Sequence, residues 1–406
     1  MFARRAFPGI VALLIASPAL AADSPFEFKK GDLRFQLKGY VQGDFRSFQD
    51  WEAGDEDTGE LRSDTSELRR LRTGFEMEWR WLEVQVDVDP QDDGDELKDL
   101  YLDLGPSKSF HVRGGHFKLP ISAEFLTSAA RTDFIERTML ANDIGPQRDW
   151  GVMLHGQPAR SFGYQAGVFR GDDRTSHTRA DWTAAARAVL TPADDLDVGL
   201  SFSQGDVEEE DDLPGSDPRP KGMLGEGPAG FEFYERHFVN GRRVRFGGDL
   251  AWTPGPVGIK GEYMEGREER NGQGSTFDDL PEQVARGWAA SATWLVTGES
   301  KKSRIEPSRA FPHGIGAVEI GARYEELRFD DLGPDEGFEG VGNRARNIRP
   351  AADRVFTGGL SWWPVYWVRF MGNVVVERYL DPLLAPEPGK RGNYVTLLAR
   401  AQIALP

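Results

Sequence analysis

A long segment from Lys118 to Arg148 combines basic and apolar side chains. Its basic residues, whose ammonium and guanidinium groups donate hydrogen bonds to anions, are Lys118, Arg131, Arg137 and Arg148. Its apolar content disfavours a fully solvated loop, and it comes from Phe125, Leu126, Phe134, Ile135 and Met139. We therefore expect residues 118–149, approximately, to fold inward against the rest of the protein. An external loop that contacts neighbouring subunits is the alternative.

Side chains for catalysis or metal binding are sparse. The chain has no cysteine, which excludes thiolate chemistry, disulfides and Cys-type zinc sites. No nucleophile elbow or P-loop is present, and the acidic segment 87–96 lacks oxygen ligands where a calcium loop needs them. The histidines are dispersed, with no HExxH motif and no close pair supported by a carboxylate: His111, His116, His155, His177, His237 and His313. We predict no enzyme activity, no cofactor and no metal site.

The overall charge excludes one class of partner. The chain has 66 acidic and 49 basic residues, which gives a formal net charge of -17 at pH 7. Such an acidic chain is repelled by the phosphate backbone of nucleic acids. We predict no nucleic-acid partner.

The first 21 residues have the order of a secretory signal peptide. Arg4 and Arg5 precede an apolar run over residues 10–15, and the small-residue sequence Ala-Leu-Ala ends at Ala21, as export requires. The run is too short to span a bilayer as a helix. We predict a signal peptide over 1–21 and a single exported domain over 22–406.

Apolar and polar residues alternate throughout the exported part. In the segment that begins at Leu33, Leu37, Val41 and Phe45 are on one face and Gln42 and Asp44 on the other, because neighbouring side chains of a strand point to opposite faces. The spacing predicts about 16 strands. We expect them to begin near residues 33, 68, 81, 97, 110, 150, 162, 181, 196, 242, 257, 284, 317, 353, 366 and 393.

The predicted connections alternate between short turns and long polar loops, except that 298–316 is long on the short-turn side. Tryptophans gather near the strand ends, as in the aromatic girdles of membrane barrels. This layout predicts an all-β fold, a transmembrane antiparallel β-barrel in the outer membrane of a Gram-negative cell, with an inward-folded constriction loop and a water-filled interior. A soluble all-β protein is the alternative.

Several stretches resemble the phosphate-selective porin O and P family. The runs GGHFKLPISAEFLTSAARTDFIERTM and RDWGVMLHG are similar to the constriction region of that family. Three stretches resemble its later strands, RGWAASATWLVTGES, GAVEIGARYEELRF and FTGGLSWWPVYWVRFMGNVV, and ARAQIAL resembles its last strand. The resemblance implies a 16-stranded barrel, a homotrimer and a basic constriction that passes anions such as phosphate. It also implies that Lys118, Arg131 and Arg137 form this constriction, replacing part of the hydration shell of an anion.

Further arginines project toward the barrel interior by alternation. We expect them to form a basic track to the constriction, since a guanidinium donates two parallel hydrogen bonds to phosphate oxygens. The track residues are Arg70, Arg72, Arg113, Arg243, Arg245 and Arg354. The alternative is that they pair with interior carboxylates such as Glu76, Glu78, Glu83 and Asp87.

Two features depart from the family. The chain ends in Leu405-Pro406, where outer-membrane barrels usually end in an aromatic residue, and its net charge is acidic for an anion channel. The acidic residues are concentrated in predicted loops, at Asp50–Glu60, Asp206–Asp212 and Asp330–Glu339. These loops could be solvated tips or could bind divalent cations or lipopolysaccharide.

We therefore predict a passive channel for small hydrophilic solutes, with small anions as its cargo and outer-membrane lipid and lipopolysaccharide as its surroundings. A general or cation-preferring porin, or a sugar channel, is the alternative on the same barrel. A surface adhesin or an outer-membrane enzyme is a third hypothesis.

Overall fold

The computed structural model describes residues 26–49, 53–54, 61–62, 64–92, 95–170, 182–207, 221–274, 278–301, 304–330, 350–387, 389 and 392–405. The predicted signal peptide lies outside these residues, and so does most of each of the three acidic loop segments. Among the described residues, no helix is both long enough and apolar enough to cross a membrane.

Sixteen long strands form one closed antiparallel barrel, in which each pairs with its neighbours in the chain and the last pairs with the first. The barrel strands are β2 (Leu33–Gln49), β5 (Thr65–Trp79), β6 (Leu82–Val88), β7 (Leu97–Ser107), β8 (Phe110–Lys118), β9 (Arg148–Ala159), β10 (Phe162–Phe169), β11 (Thr183–Ala193), β12 (Leu196–Val207), β15 (Gly241–Trp252), β16 (Val257–Arg270), β17 (Leu280–Leu295), β18 (Ala317–Asp330), β19 (Ala351–Val365), β20 (Val368–Tyr379) and β21 (Tyr394–Ala404). The predicted fold class and strand number are confirmed, and the predicted strand starts are wrong by at most four residues.

The remaining elements are short. They are β1 (Glu27–Lys30), β3 (Ala53–Gly54), β4 (Leu61–Arg62), β13 (Gly225–Glu226), β14 (Glu232–Tyr234), the helix α1 (Ala123–Leu126), a π-helical turn at Leu140–Ile144 and a 3-10 turn at Pro382–Leu384. The strand β1 pairs with the start of β2. The pairs β3–β4 and β13–β14 are small hairpins outside the barrel sheet.

The two faces of the wall differ as the alternation predicts. In β2, Leu37, Val41 and Phe45 are exposed on the outer face, whereas Gln42 and Asp44 are buried on the inner face. All the remaining barrel strands except β6 also expose large apolar side chains on their outer faces, including Val152, Leu200 and Leu360. An apolar surface that encircles the molecule is suited to lipid rather than to water.

Tryptophans mark the ends of this apolar surface. Trp79, Trp81, Trp252, Trp294 and Trp362 are exposed near short turns, and Trp150 and Trp182 are exposed toward the long-loop end. Trp363 is an exception, since it is buried on the inner face. There the guanidinium of Arg369 lies over its ring, 4.4 Å from the centroid.

The lipid-facing assignment can be tested with one buried charge. Leu200 is on the outer face of β12, four residues above the turn that precedes Leu196, or about 10 Å up an apolar band about 25 Å tall. We expect Leu200→Arg to lower the free energy of unfolding from phospholipid vesicles by about 2–4 kcal/mol, measured by guanidinium titration. Leu196→Arg, on the same face of the same strand near the interface, is the control and should cost about 1 kcal/mol or less. Equal costs at both positions would contradict a membrane-embedded outer face.

Candidate functional site

The connection between β8 and β9, residues 119–147, lies inside the barrel and is called here the constriction loop. Its apolar side chains are buried, with exposed fractions of 0 to 3%: Leu119, Ile121, Phe125, Phe134, Ile135, Met139, Leu140 and Ile144. All of them except Phe125 and Phe134 belong to one buried cluster with inward-facing residues of the wall such as Met153, Phe169 and Met264. The predicted inward fold is confirmed, and its cause is the burial of this apolar surface.

Wall side chains hold the backbone of the constriction loop from the opposite side of the barrel. Three arginines of β18, β20 and β21 donate to its carbonyls: Arg323 to Glu136 at 2.9 Å, Arg369 to Thr132 at 2.7 Å and Arg400 to Ile135 at 2.7 Å. Asn373 accepts from the N–H of Ile135 at 2.8 Å, and Glu325 accepts from the N–H of Met139 at 2.8 Å. A buried irregular loop needs such partners, because unpaired backbone groups are costly away from water.

The unusually long connection on the short-turn side also reaches this loop. Lys301 donates to Asp133 of the constriction loop at 2.8 Å and forms an ion pair with Glu319 of β18. Lys260 of β16 is 2.7 Å from the other oxygen of Asp133. Burial alone would raise the pKa of Asp133, but the two ammonium groups outweigh it and hold that pKa well below its usual value. Lys301 of connection 298–316 therefore anchors the constriction loop from the short-turn side of the barrel.

A second loop also folds inward, which the sequence analysis missed. Met223, Phe233 and Tyr234, from the connection between β12 and β15, are buried, and the ring of Tyr234 stacks on Phe329 with centroids 3.8 Å apart. The N–H of Met223 donates to Glu268 of β16 at 2.9 Å. The signal was the aromatic run FEFY at 231–234, which is out of place in a solvated loop.

These two loops and the wall enclose a cavity of about 630 Å³. Its lining includes twelve basic side chains and six acidic ones. The basic side chains are Arg46, Arg69, Arg70, Arg72, Lys98, Arg137, Arg148, Lys221, Arg236, Arg243, Arg245 and Arg400. The acidic side chains are Asp92, Asp95, Glu136, Asp143, Glu226 and Glu268. The cavity wall is thus strongly cationic, although the whole chain is acidic.

The three residues assigned to the constriction occupy different positions. Lys118 and Arg137 both donate to carbonyls near the end of α1, Lys118 to Leu126 at 3.3 Å and to Thr127 at 3.1 Å, and Arg137 to Thr127 at 2.8 Å. Both cations also lie over the ring of Phe125. Of these two, Arg137 lines the cavity.

Arg131 points elsewhere. It is exposed, and its side chain makes no hydrogen bond to a residue that the structure describes. Arg131 is not part of the cavity lining, and burial, with a smaller contribution from the charge of Arg131, lowers the pKa of Arg304 in connection 298–316. The three residues therefore do not form one ring.

Four of the six predicted track residues line the cavity, namely Arg70, Arg72, Arg243 and Arg245. Arg113 faces the interior closer to the short turns and donates to Asp103 at 2.8 Å. The prediction for Arg354 is wrong, because this residue is exposed on the outer face, where it donates to Glu326 at 2.9 Å. Side chains two residues apart share a face, and Arg354 follows the parity of outward-facing Phe356.

Some of the track arginines do form ion pairs with interior carboxylates, but not with the four carboxylates that the sequence suggested. Arg72 is 3.4 Å from Asp89, and Arg243 is 2.6 Å from Glu268. Glu76 and Glu78 instead accept from residues of β2, whereas Glu83 and Asp87 accept from Tyr101 and Gln85. Interior ion pairing is therefore real, and it neutralises part of the cavity lining.

Three of the lining guanidiniums donate only to neutral oxygens within the described part of the chain. Arg70 donates to the Gln42 side chain at 3.1 Å, and Arg236 donates to the carbonyl of Gly222 at 2.8 Å. Arg137 donates to the carbonyls described above. These three side chains add positive charge to the cavity that no hydrogen-bonded carboxylate of a described residue cancels.

Around Glu136, an acidic residue of the cavity lining, several arginines surround a single carboxylate. Burial alone would raise the pKa of Glu136, but Arg46, Arg69 and Arg400 lower that pKa to about 2. Glu136 is 3.0 Å from Arg46 and 3.7 Å from Arg400. Sequence reasoning missed Arg46, Arg69 and Arg400 because it considered each strand separately, whereas strand register brings their side chains together.

Comparison with known proteins agrees with this geometry. An uncharacterized protein from Aquifex aeolicus is 26% identical over 251 residues, which is 58% of this chain and 54% of that protein. The chain therefore spans about half the length of this relative. Porin O of Pseudomonas aeruginosa is 23% identical over 336 residues, 74% of each chain.

Solved outer-membrane barrels share the fold. The anion-selective porin from Comamonas acidovorans has a TM-score of 0.58 at 11% identity, over 92% of this chain and 99% of that one. The outer membrane channel DcaP of Acinetobacter baumannii has a TM-score of 0.55 at 11% identity, over 93% of this chain and 98% of that one. The family model described as phosphate-selective porin O and P matches residues 35–403. The chain therefore belongs to this porin family and is an outer-membrane channel.

Proposed function

We propose that this channel passes small anions, phosphate among them, in preference to cations. The observation that carries the proposal is the cavity lining, with twice as many basic as acidic side chains. A narrow passage with walls of one charge sign concentrates ions of the opposite sign. Much of the acidic excess of the composition comes from three segments, Asp50–Glu60, Asp206–Asp212 and Asp330–Glu339, most of which lie outside the described residues.

Guanidinium groups suit this task for two reasons. They stay charged at any physiological pH, and their planar N–H donors match the oxygens of phosphate. Within the described part of the chain, Arg70, Arg137 and Arg236 donate hydrogen bonds only to neutral oxygens, so each can exchange such a bond for one to a passing anion. An ion that leaves one guanidinium meets others on the same cavity wall, which favours passage over tight capture.

The assembly and surroundings form a second part of the proposal. We infer export by the signal peptide over 1–21, assembly as a homotrimer, and a lipopolysaccharide leaflet around the long-loop end. The trimer is supported by family membership and by the outer membrane protein OmpT of Vibrio cholerae, a structural neighbour at 12% identity and TM-score 0.55 whose solved structures include a trimer form.

Ion selectivity tests the main proposal. In planar bilayers under a gradient of potassium phosphate, we expect a reversal potential of the sign set by anion flow. Arg70→Gln and Arg137→Gln should each reduce the anion-to-cation permeability ratio, since one unit charge 4 Å from an ion contributes about 1 kcal/mol in water, or roughly fivefold. Arg131→Gln should have a smaller effect, because Arg131 does not line the cavity.

Arg354→Gln is the matched control, because it removes the same charge from the outer face. It should leave the reversal potential unchanged. An unmodified channel that passes potassium in preference to phosphate would refute the anion proposal and favour the cation-preferring alternative. A permeability ratio near that of free diffusion would favour a general porin.

The salt dependence should reveal a collective electrostatic mechanism. The screening length falls from about 10 Å at 0.1 M salt to about 3 Å at 1 M. We therefore expect the anion-to-cation permeability ratio in potassium chloride to decrease steadily between these concentrations. A ratio that is constant over this range would mean that selectivity comes from direct contact at one site rather than from the summed charge of the wall.

The anchoring of the constriction loop can be tested without changing any charge. Asn373→Ala removes the acceptor of the Ile135 N–H, and a buried donor left unpaired costs about 1–3 kcal/mol. We expect larger fluctuations of the open-channel current, with little change in reversal potential. Asn142→Ala is the control, since the Asn142 side chain makes no hydrogen bond to a described residue. Equal current noise in both variants would show that the loop does not depend on this anchor.

A further inference from the structure

Two histidines and one aspartate meet on the inner wall, close to the short-turn end of the barrel. His111 of β8 and His155 of β9 are directly opposite each other in the strand register, and their rings stack with centroids 4.8 Å apart. Asp103 of β7 reaches both rings: Oδ1 is 3.0 Å from Nδ1 of His111, and Oδ2 is 2.6 Å from Nε2 of His155. The expectation that no histidine pair is supported by a carboxylate is therefore wrong.

The atoms of this triad lie close to the arrangement that a divalent transition metal needs. The two ring nitrogens and a carboxylate oxygen lie within 4.8 Å of one another. Ligand atoms around a tetrahedral zinc ion, with bonds of about 2.0–2.2 Å, are roughly 3.3 Å apart. Small side-chain rotations would bring the three atoms to that spacing, without any movement of the strands.

The triad is also accessible, and its surroundings support ligation. His111 and His155 border a cavity of about 340 Å³, so water can complete the coordination shell, whereas Asp103 is buried. Arg113 donates to Oδ2 of Asp103 at 2.8 Å, which resembles the outer-shell hydrogen bonds that orient ligating carboxylates. Gly105 leaves room for the His111 ring, because a Cβ at this position would lie only 2.1 Å from Cε1 of that ring.

We propose that Asp103, His111 and His155 form a binding site for a divalent transition-metal ion, Zn²⁺ above all. Two imidazoles and one carboxylate favour zinc and its neighbours in the first transition series over Mg²⁺ and Ca²⁺, which prefer shells of oxygen ligands. An ion bound here adds two positive charges to the lumen on the short-turn side of the constriction loop. The site does not depend on the ion selectivity of the channel.

Calorimetric titration of the detergent-purified full chain with Zn²⁺, using protein without a histidine tag, tests the site. We expect one saturable site per protomer that excess Mg²⁺ does not displace. His111→Gln and His155→Gln should each weaken binding at least about tenfold. Titration with Co²⁺ should give the visible absorption of tetrahedral nitrogen and oxygen ligation, and each variant should lose it.

Two further variants separate ligation from folding. Gly105→Ala keeps all three ligands but displaces the His111 ring, so we expect weaker Zn²⁺ binding. His313→Gln, which removes a histidine remote in sequence, should bind as the unmodified protein does. Each variant is compared only if its circular dichroism and heat-dependent gel migration match those of the unmodified barrel. Absence of a saturable site, or binding that survives in both His111→Gln and His155→Gln, would overturn the proposal.

Discussion

A chain that crosses a bilayer as strands must leave no backbone N–H or C=O unpaired toward lipid. The pairing of the first barrel strand, β2, with the last, β21, satisfies this requirement. Ten residues of β2, from Tyr40 to Gln49, pair with β21 in an unbroken ladder. Closure then fixes which side chains face outward. With every second position given to lipid, the alternate positions must line the interior, and this is how a chain so rich in charge can be a membrane protein.

The interior of a 16-stranded barrel is too wide for wall side chains to fill, and here two loops occupy part of it. The constriction loop contributes apolar residues to a buried cluster, but its backbone needs polar partners that the wall must supply. Arginines are the donors at three of those contacts, from Arg323, Arg369 and Arg400. The same residue type that would attract anions thus also supports the loop that narrows the passage.

Local patterns in the sequence predicted the features that depend on one segment at a time. The strands, the outer apolar face and the inward fold of residues 119–147 follow from alternation and from apolar content. Features that depend on several strands could not be predicted in this way. Asp103, His111 and His155 meet only because strand register and the space above Gly105 bring three strands' side chains together. The wrong prediction for Arg354 had a simpler cause. The sequence itself shows that Arg354 is two residues from the apolar Phe356 and therefore shares its face of the strand.

Lys301 lies on a connection from one end of the barrel, and its partner Asp133 belongs to a loop that enters from the other end. The loop is continuous with β8 and β9, and its hydrogen-bond partners on β18 are half the circumference away. Because the loop is held at both ends by β8 and β9 and in its middle by Lys301 and the wall arginines, any displacement of its centre must break several buried hydrogen bonds at once.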